Sequence, residues 1–233
     1  MPTDKLIDRH YFQDLRELGD SVAQHAASSL LDTLTQKNKV SLVLPGGQTP
    51  RIYLPQLRQQ NLPWQRIYLT LSDERWVAAT DSRSNEKLLH EQFLRKIQFP
   101  PHFIPLKTAH LQPDEAIDTI DTRLATMPLP FDLTLLGMGE DGHIASLFPG
   151  MMLNMDDTHL CQVATPPVAP SLRISLSFRV LAESRQILFV ILGKNKRQLL
   201  DHLITSTDTT IPFVKLLRHR SVIIFESDAE LIN

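Results

Sequence analysis

The feature that most constrains the fold is an alternation of short apolar runs with longer amphipathic stretches. The apolar runs are VSLVLP from Val40, RIYLTLS from Arg66, HFIPL from His102, FDLTLLG from Phe131, LRISLSF from Leu172, QILFVILG from Gln186 and SVIIF from Ser221. The helical stretches are the apolar repeat from Leu15 to Leu34, SNEKLLHEQFLRKI from Ser84, PDEAIDTIDTRL from Pro113 and KNKRQLLDHLI from Lys194. Apolar strands of this length, separated by helices, are typical of parallel sheets covered on both faces. The sequence therefore predicts an α/β fold with a mainly parallel, doubly wound, Rossmann-like sheet and helices on both faces.

No segment has the composition of a linker between domains. The 233 residues, 42% of them hydrophobic, suffice for one large domain or two small ones. The sixteen prolines mark the ends of segments rather than forming a low-complexity tract. We therefore predict a single α/β domain over residues 1–233, with residues 151–170 as an irregular excursion.

The net charge and the cysteine content limit the binding partners and the compartment that we expect. A net charge of −2 gives no indication of a nucleic-acid or anionic membrane surface. The single cysteine, Cys161, lies in the apolar run LCQVA, which fits a small core residue in a reducing compartment. The charged N-terminal stretch has no apolar signal region, and no run approaches the ~18 apolar residues of a membrane span. We expect a soluble, cytoplasmic protein, monomeric or weakly homo-oligomeric, that binds neither nucleic acid nor membrane.

In doubly wound sheets, ligands bind outside the carboxyl ends of the strands. The candidate site therefore lies in the predicted strand-to-helix turns at residues 46–50, 72–76, 137–143 and 193–196. Polar and charged side chains are most concentrated in these turns. We expect the turns to meet at one edge of the sheet.

The first turn, in LVLPGGQTP from Leu42, has the features of a phosphate site. Gly46 and Gly47 permit a turn without Cβ clashes, and Thr49-Pro50 fits an N-cap followed by a first helical position. A helix N-terminus with free N–H groups and a hydroxyl binds anions, most naturally phosphate. The same residues would also make an ordinary strand-to-helix turn. Pro55, six positions into that helix, should kink or end it.

The second turn, in LSDERWV from Leu71, places three charges at the end of a strand that should be buried. The planar guanidinium of Arg75 suits a phosphate or carboxylate. Asp73 or Glu74 could hold that guanidinium or bind substrate hydroxyls. For Glu74 we favour a structural ion pair.

The third turn contains Gly-x-Gly-x-x-Gly at residues 137–142, which is the spacing of a dinucleotide-binding turn. Its neighbours argue against that function. Glu140 and Asp141 would repel a pyrophosphate, and Pro149-Gly150 would break any helix within two turns. No apolar strand ending in an acidic residue follows at the required spacing. The sequence therefore argues against NAD.

What the third turn supplies is a candidate base. The pattern places His143 at a helix start, where the helix dipole would hold the imidazole neutral. An adjacent carboxylate, Asp141, can orient the ring. Ser146 lies in GHIAS rather than in a G-x-S-x-G elbow, which argues against a nucleophilic serine.

Five blocks of this sequence, taken together, form a pattern that is typical of one protein family. They are Gly46-Gly47-x-Thr49-Pro50, Asp73-Glu74-Arg75 with Ser84-Asn85 downstream, Leu136-Gly137-Met138-Gly139-x-Asp141-Gly142-His143-x-Ala145-Ser146-Leu147-Phe148-Pro149, Pro167-x-x-Pro170-x-x-Arg173-Ile174-Ser175 and Gly193-x-x-Lys196. Together they resemble the 6-phosphogluconolactonase family, over nearly the whole chain, and the third block is very specific. Gln48 stands where the family usually has serine and Ser175 where threonine is common; neither departure removes a charged group.

The resemblance implies hydrolysis of 6-phospho-D-glucono-1,5-lactone to 6-phosphogluconate in the oxidative pentose phosphate pathway, without a metal or organic cofactor. The sequence itself contains no HExxH or CxxC motif. We expect His143 and Asp141 to be catalytic. The residues expected to bind the substrate or its phosphate are Gly46, Gly47, Thr49, Asp73, Arg75, Gly142, Arg173 and, more weakly supported, Lys196.

Two other classes of function stay open. A glucosamine-6-phosphate deaminase or isomerase shares Gly-x-Asp-Gly-His but continues with Asn-Glu-Pro, whereas this chain continues Ser146-Leu147-Phe148-Pro149. A non-catalytic sugar-phosphate sensor would keep Thr49 and Arg75 and need no base; it would usually carry a DNA-binding module, and none is apparent here.

Overall fold

The computed structural model describes residues 6–166 and 172–231, which form two sheets and their flanking helices. The strands are β1 (Ile7–Tyr11), β2 (Val40–Leu44), β3 (Ile67–Leu71), β4 (Asp73–Arg75), β5 (His102–Phe103), β6 (Leu133–Leu136), β7 (Cys161–Ala164), β8 (Arg173–Leu176), β9 (Gln186–Leu192) and β10 (Val222–Ser227). The helices are α1 (Leu15–Leu34), α2 (Pro50–Leu57), α3 (Asn85–Gln92), α4 (Ile117–Leu124), α5 (Phe178–Ala182), α6 (Lys194–Thr205) and α7 (Pro212–His219).

The main sheet has seven parallel strands in the order β1-β10-β9-β6-β2-β3-β5. Every residue of β2 and β6 is buried, as expected for central strands covered on both faces. The predicted doubly wound, mainly parallel α/β fold is thus confirmed.

The order of the strands contains a reversal at the centre of the sheet. β2 and β6 are hydrogen-bonded neighbours, with Leu42 opposite Leu133. From β2 the chain moves through α2 to β3 and on to β5, whereas from β6 it moves in the other direction to β9 and β10. Right-handed crossovers in opposite directions put their helices on opposite faces. A crevice therefore opens beyond the carboxyl ends of β2 and β6, where doubly wound proteins bind ligands.

The second sheet is antiparallel, with the order β4-β8-β7. The run from Leu172 does form a strand, β8, but it joins this small sheet rather than the main one. Ser72 links the two sheets, because its amide donates to the Leu44 carbonyl while its own carbonyl accepts from the Leu176 amide. The small sheet therefore stands directly over the carboxyl end of β3.

The apolar repeat of α1 faces a continuous buried core that also contains residues of α2, the central strands, α6 and α7. Cys161 is buried in it, as predicted, and burial raises the pKa of its thiol. Pro55 lies inside α2, which ends two residues later at Leu57, in line with the prediction that it would kink or end the helix.

Five elements were not predicted from the sequence, namely β1, β4, β7, α5 and α7. β1 is an edge strand whose residues are mostly exposed and polar, β4 has three residues, and α7 begins at Pro212 after a turn. Residues 151–160 are irregular, as predicted, but β7 interrupts the excursion. Pro167 and Pro170 lie outside the described residues. Among the helices that the structure describes, none combines the length and apolar character that a membrane crossing requires.

Candidate active site

A cavity of about 670 Å³ opens at the carboxyl ends of β2, β3, β6 and β9 and is bounded on one side by β8. All four predicted segments contribute to its walls, but the prediction of a strand-to-helix turn at residues 72–76 is wrong, because Asp73–Arg75 form strand β4. Of the predicted site residues, the cavity is lined by Gly46, Gly47, Thr49, Asp73, Arg75, Asp141, His143, Arg173 and Lys196. Gly142 does not line it. This glycine is buried with a φ of 79° and shapes the turn that presents His143.

His143 lies in a tight turn after β6, and the prediction of a helix start at this position is wrong. The turn closes through hydrogen bonds from the Gly139 amide to the His143 carbonyl (2.9 Å) and from the Gly142 amide to the Gly139 carbonyl (3.1 Å). A dinucleotide-binding turn leads into a helix, whereas the next helix here is α5. The helix-dipole argument for a neutral imidazole therefore does not apply.

Asp141 orients the imidazole of His143. One carboxylate oxygen, Oδ1, lies 2.6 Å from Nδ1 of His143 and also accepts the His143 backbone N–H at 3.0 Å. Because a carboxylate can only accept, Nδ1 carries the proton and Nε2 of the neutral ring is left as the acceptor. Burial alone would raise the pKa of Asp141, but the hydrogen bonds from the His143 amide and ring, together with the positive charge of the ring when it is protonated, outweigh burial and hold the pKa below its ordinary value.

The glycine-rich turns differ in the backbone donors they offer. The amides of Gly139 and Gly142 are consumed inside the His143 turn, so they cannot serve an oxyanion. In the part of the chain that the structure describes, the amides of Gly47, Gln48 and Thr49 donate to no protein acceptor. Thr49 occupies the N-cap position of α2, as predicted, but its hydroxyl makes no capping bond. The turn after β2 thus has free donors beside the cavity.

Arg75 and Arg173 lie directly opposite each other on the neighbouring strands β4 and β8. Like charges in this position repel each other. Arg75 donates to the Arg83 carbonyl at 2.6 Å and Arg173 to Oγ of Ser146 at 3.4 Å, but the Nε atoms of both are buried without a hydrogen-bond partner. Burial and the charge of Arg75 lower the pKa of Arg173. The pair is therefore arranged for an anion that would bind both guanidinium groups.

Asp73 is held by two serines. Its Oδ1 accepts from Oγ of Ser72 at 2.9 Å and its Oδ2 from Oγ of Ser146 at 2.6 Å. Ser146 is fully buried and its proton is committed to Asp73, which agrees with the argument against a nucleophilic serine. No hydrogen bond joins Asp73 to Arg75. Of the two roles that the sequence left open for Asp73, holding that guanidinium is therefore not the one found, and binding of substrate hydroxyls stays a prediction.

Glu74 has a structural role, but not in an ion pair. Its buried carboxylate accepts from the Arg75, Asn85 and Glu86 amides and from Oγ of Ser84, at the N-terminus of α3. Burial raises the pKa of Glu74 despite these four bonds. The glutamate thus fixes α3 against β4, because its carboxylate satisfies amides that the first turn of a helix leaves unpaired.

Lys196 lies in the first turn of α6, together with Lys194 and Arg197 and without an acidic residue. Cations are unfavourable at a helix N-terminus, so this turn also favours a bound anion. Among the described residues no group of three or more histidine, cysteine, aspartate or glutamate side chains is arranged to hold a metal.

These features allow a comparison with known proteins. Residues 13–224 match the family model described as glucosamine-6-phosphate isomerases/6-phosphogluconolactonase. The chain belongs to this family. A curated 6-phosphogluconolactonase of Pseudomonas aeruginosa is 36% identical over 185 residues, which cover 77% of this chain and 78% of that protein. The predicted resemblance, and with it membership of a family of enzymes, is confirmed.

Solved structures extend the match. A crystal structure of a 6-phosphogluconolactonase from Shewanella baltica superimposes with a TM-score of 0.88 at 30% identity and covers 97% of this chain and 99% of that one. A monomeric glucosamine-6-phosphate deaminase superimposes with a TM-score of 0.79 at 20% identity, covering 94% and 97%. The second match shows a shared fold alone, so the fold does not decide between the two chemistries.

The cavity also contains residues that the sequence reasoning did not assign to the site. Ser72, Asn85 and Phe148 line it, and Ser146 lies behind Asp73 and Arg173. Ser146 and Phe148 belong to the Ser146–Pro149 block, in which this sequence differs from the deaminase pattern. That difference is the sequence feature that could have assigned both residues to the site.

Proposed function

We propose that the protein hydrolyses 6-phospho-D-glucono-1,5-lactone to 6-phospho-D-gluconate, in the oxidative pentose phosphate pathway, with His143 as the general base. The observation that carries the proposal is the pairing of Arg75 with Arg173, each with a buried, unpartnered Nε, in the same cavity as an imidazole oriented by a carboxylate. The first feature suits a phosphate and the second suits activation of water. Relatives named 6-phosphogluconolactonase support the same substrate.

The mechanism follows from the orientation of the ring. With Nδ1–H bonded to Asp141, Nε2 of His143 removes a proton from a water molecule that attacks the lactone carbonyl. The oxyanion forms beside the free amides of Gly47, Gln48 and Thr49. Collapse of the tetrahedral intermediate breaks the bond between the carbonyl carbon and the ring oxygen. The imidazolium returns its proton to that oxygen, and the new carboxylic acid ionises at neutral pH.

The test follows acid release. The lactone is generated with glucose-6-phosphate dehydrogenase, the protein is added, and proton release is compared with the spontaneous rate, with and without a chelator. We expect acceleration that survives the chelator and no release of ammonia from glucosamine 6-phosphate. Absence of acceleration together with ammonia release would favour the deaminase reaction instead.

A variant of Arg75 tests whether that activity depends on the phosphate of the substrate. Arg75→Ala should weaken binding of the phosphorylated lactone far more than that of unphosphorylated gluconolactone, because only the first carries the dianion. Lys107→Ala is a matched control, since it removes a cation outside the cavity that lies over Trp76. An equal loss with both lactones would assign Arg75 a structural role.

A further inference from the structure

Phe148 connects the two halves of the site. Its ring is 6% exposed and lies 4.8 Å, centroid to centroid, from the imidazole of His143, at an interplanar angle of 49°. The guanidinium carbon of Arg173 lies 5.5 Å from the centre of the same ring. One aromatic side chain therefore contacts both the proposed base and one member of the arginine pair.

The turn that carries His143 is fixed to β8 by side chains. Oγ of Ser146 donates to Asp73 and accepts from Arg173, and the Ser146 amide donates to Oγ of Ser175 at 3.3 Å. Ala145, which lies between His143 and Ser146 in the chain, has a φ of 51°. This left-handed conformation is unfavourable for alanine and persists where surrounding contacts enforce it. The position of His143 thus depends on contacts that include Arg173.

Arg173 is the member of this set that an anion would affect most. Arg173 lies opposite Arg75, and its buried Nε has no hydrogen-bond partner among the described residues. A dianion between the guanidinium groups would remove their repulsion and fix the plane of Arg173 by bidentate hydrogen bonds. Phe148 packs against that guanidinium through a cation–π contact, so a change in its orientation reaches the ring and, through the ring, His143.

We propose that Phe148 is a positioning residue that couples anion binding at Arg75 and Arg173 to the orientation of His143. This proposal rests on the proposed function and adds to it a coupling between the two parts of the site. It has a specific consequence: the phosphate need not be attached to the lactone. A free dianion bound to the arginine pair should activate the base toward a lactone that has no phosphate of its own.

The experiment measures hydrolysis of unphosphorylated glucono-1,5-lactone with increasing phosphite dianion. The enzyme-free rate at each phosphite concentration is subtracted. We expect saturable activation on the order of tenfold in the wild-type protein, within the usual range for coupling between two sites. Phe148→Leu should abolish the activation, while the inhibition constant of phosphite against the phosphorylated lactone changes by less than about threefold. Phe148→Tyr, which keeps the ring, should retain the activation.

Phe12→Leu provides the matched control, since it removes an aromatic ring that stacks on Phe225 away from the cavity. It should leave both quantities unchanged. Wild-type protein that hydrolyses the phosphorylated lactone but shows no phosphite activation would overturn the coupling and leave the proposed function intact. Retained activation in Phe148→Leu, or a parallel loss of phosphite binding and activation, would also overturn it.

A second measurement does not depend on the folding of the Phe148 variants. The imidazole signal of His143, assigned by its loss in His143→Asn, is followed by NMR during a phosphite titration of the wild-type protein. We expect the signal to shift with the same saturation as the activation, and to stay fixed in Arg173→Ala. An unmoved signal in the wild type would overturn the coupling.

Discussion

At the scale of single residues, the site depends on one missing side chain. A Cβ on Gly139 would lie 2.0 Å from Nδ1 of His143, far inside contact distance, so only glycine leaves room for the imidazole at this place in the turn. The same ring nitrogen is the one that bonds to Asp141. The second glycine of the spacing that mimics a dinucleotide turn is therefore required here by the close approach of a histidine ring to the backbone.

The contribution of His143 can be predicted from its geometry. His143→Asn keeps a polar side chain of moderate size but removes the nitrogen that accepts the proton. We expect kcat to fall about 10²- to 10⁴-fold, the usual contribution of a general base, while KM changes little because the arginine pair is intact. Steady-state hydrolysis of the phosphorylated lactone measures both constants.

His10→Asn is the control for this variant, because it removes a histidine from β1, outside the cavity. It should turn over at the wild-type rate. If His143→Asn also retained near-normal turnover, the base would have to be assigned to another group.

At the scale of elements, the excursion after the His143 turn is secured to α4 by one aspartate. Oδ2 of Asp121 lies 2.7 Å from Nδ1 of His159, and Oδ1 accepts the Leu160 amide at 3.0 Å. These contacts come immediately before β7, which pairs with β8 and so supports the strand that carries Arg173. The hydrogen bond to Asp121 raises the pKa of His159.

This pair predicts a pH dependence of stability. A histidine whose pKa is raised in the folded state contributes stability that is fully present below its unfolded pKa of about 6.5 and is lost as the pH rises through the folded value. The difference in Tm between wild type and His159→Asn should therefore be largest in mildly acidic buffer and shrink toward alkaline pH. It should also shrink with added salt, because the imidazole is exposed. Thermal melts across this range measure it.

Two further variants make the test specific to the pair. Asp121→Asn should remove the same pH dependence and add a constant loss, since the Leu160 amide would also lose its charged acceptor. His202→Asn, on the exposed side of α6, should leave the pH dependence unchanged. A His159→Asn curve parallel to wild type at every pH would contradict the prediction.

The elements also show how far the sequence could determine the fold. The central strands and α1 were predictable because burial on both faces or on one stripe leaves a strong periodic pattern. β1 was not, because an exposed edge strand rich in charge has no such pattern, and β4 was not, because three residues carry no period. The pairing of Arg75 with Arg173 depends on the register between β4 and β8, which are about a hundred residues apart in sequence. A helix start at His143 was wrong because two glycine amides and a carboxylate stabilise a turn there instead.

At the scale of the whole molecule, the site and the core belong to the same structure. The cavity is bounded by the segments that follow four strands of the main sheet, and the buried apolar residues form one cluster from α1 to β10. Arg9 of β1 bonds to the buried Glu226 of β10, which also lies near Arg197 of α6. The first strand, β1, and the last, β10, are therefore joined by the ion pair between Arg9 and Glu226 as well as by the backbone hydrogen bonds between the strands. These observations support the proposal that residues 1–233 fold as one domain.

A single domain predicts one cooperative unfolding transition whose midpoint responds to an anion at the site. Far-UV circular dichroism and the fluorescence of Trp64 and Trp76 should report the same midpoint, because both tryptophans pack against the one core. If the arginine pair binds the substrate phosphate as proposed, inorganic phosphate should bind the native pair and not the unfolded chain. A hundredfold excess over its Kd should therefore stabilise the protein by about 2.7 kcal/mol. At about 2–4 °C per kcal/mol for a chain of this size, both probes should shift together by several degrees, and Arg75→Ala should lose the shift. Two separate transitions, only one of them responsive to phosphate, would mean that the strands around the site unfold independently of the rest.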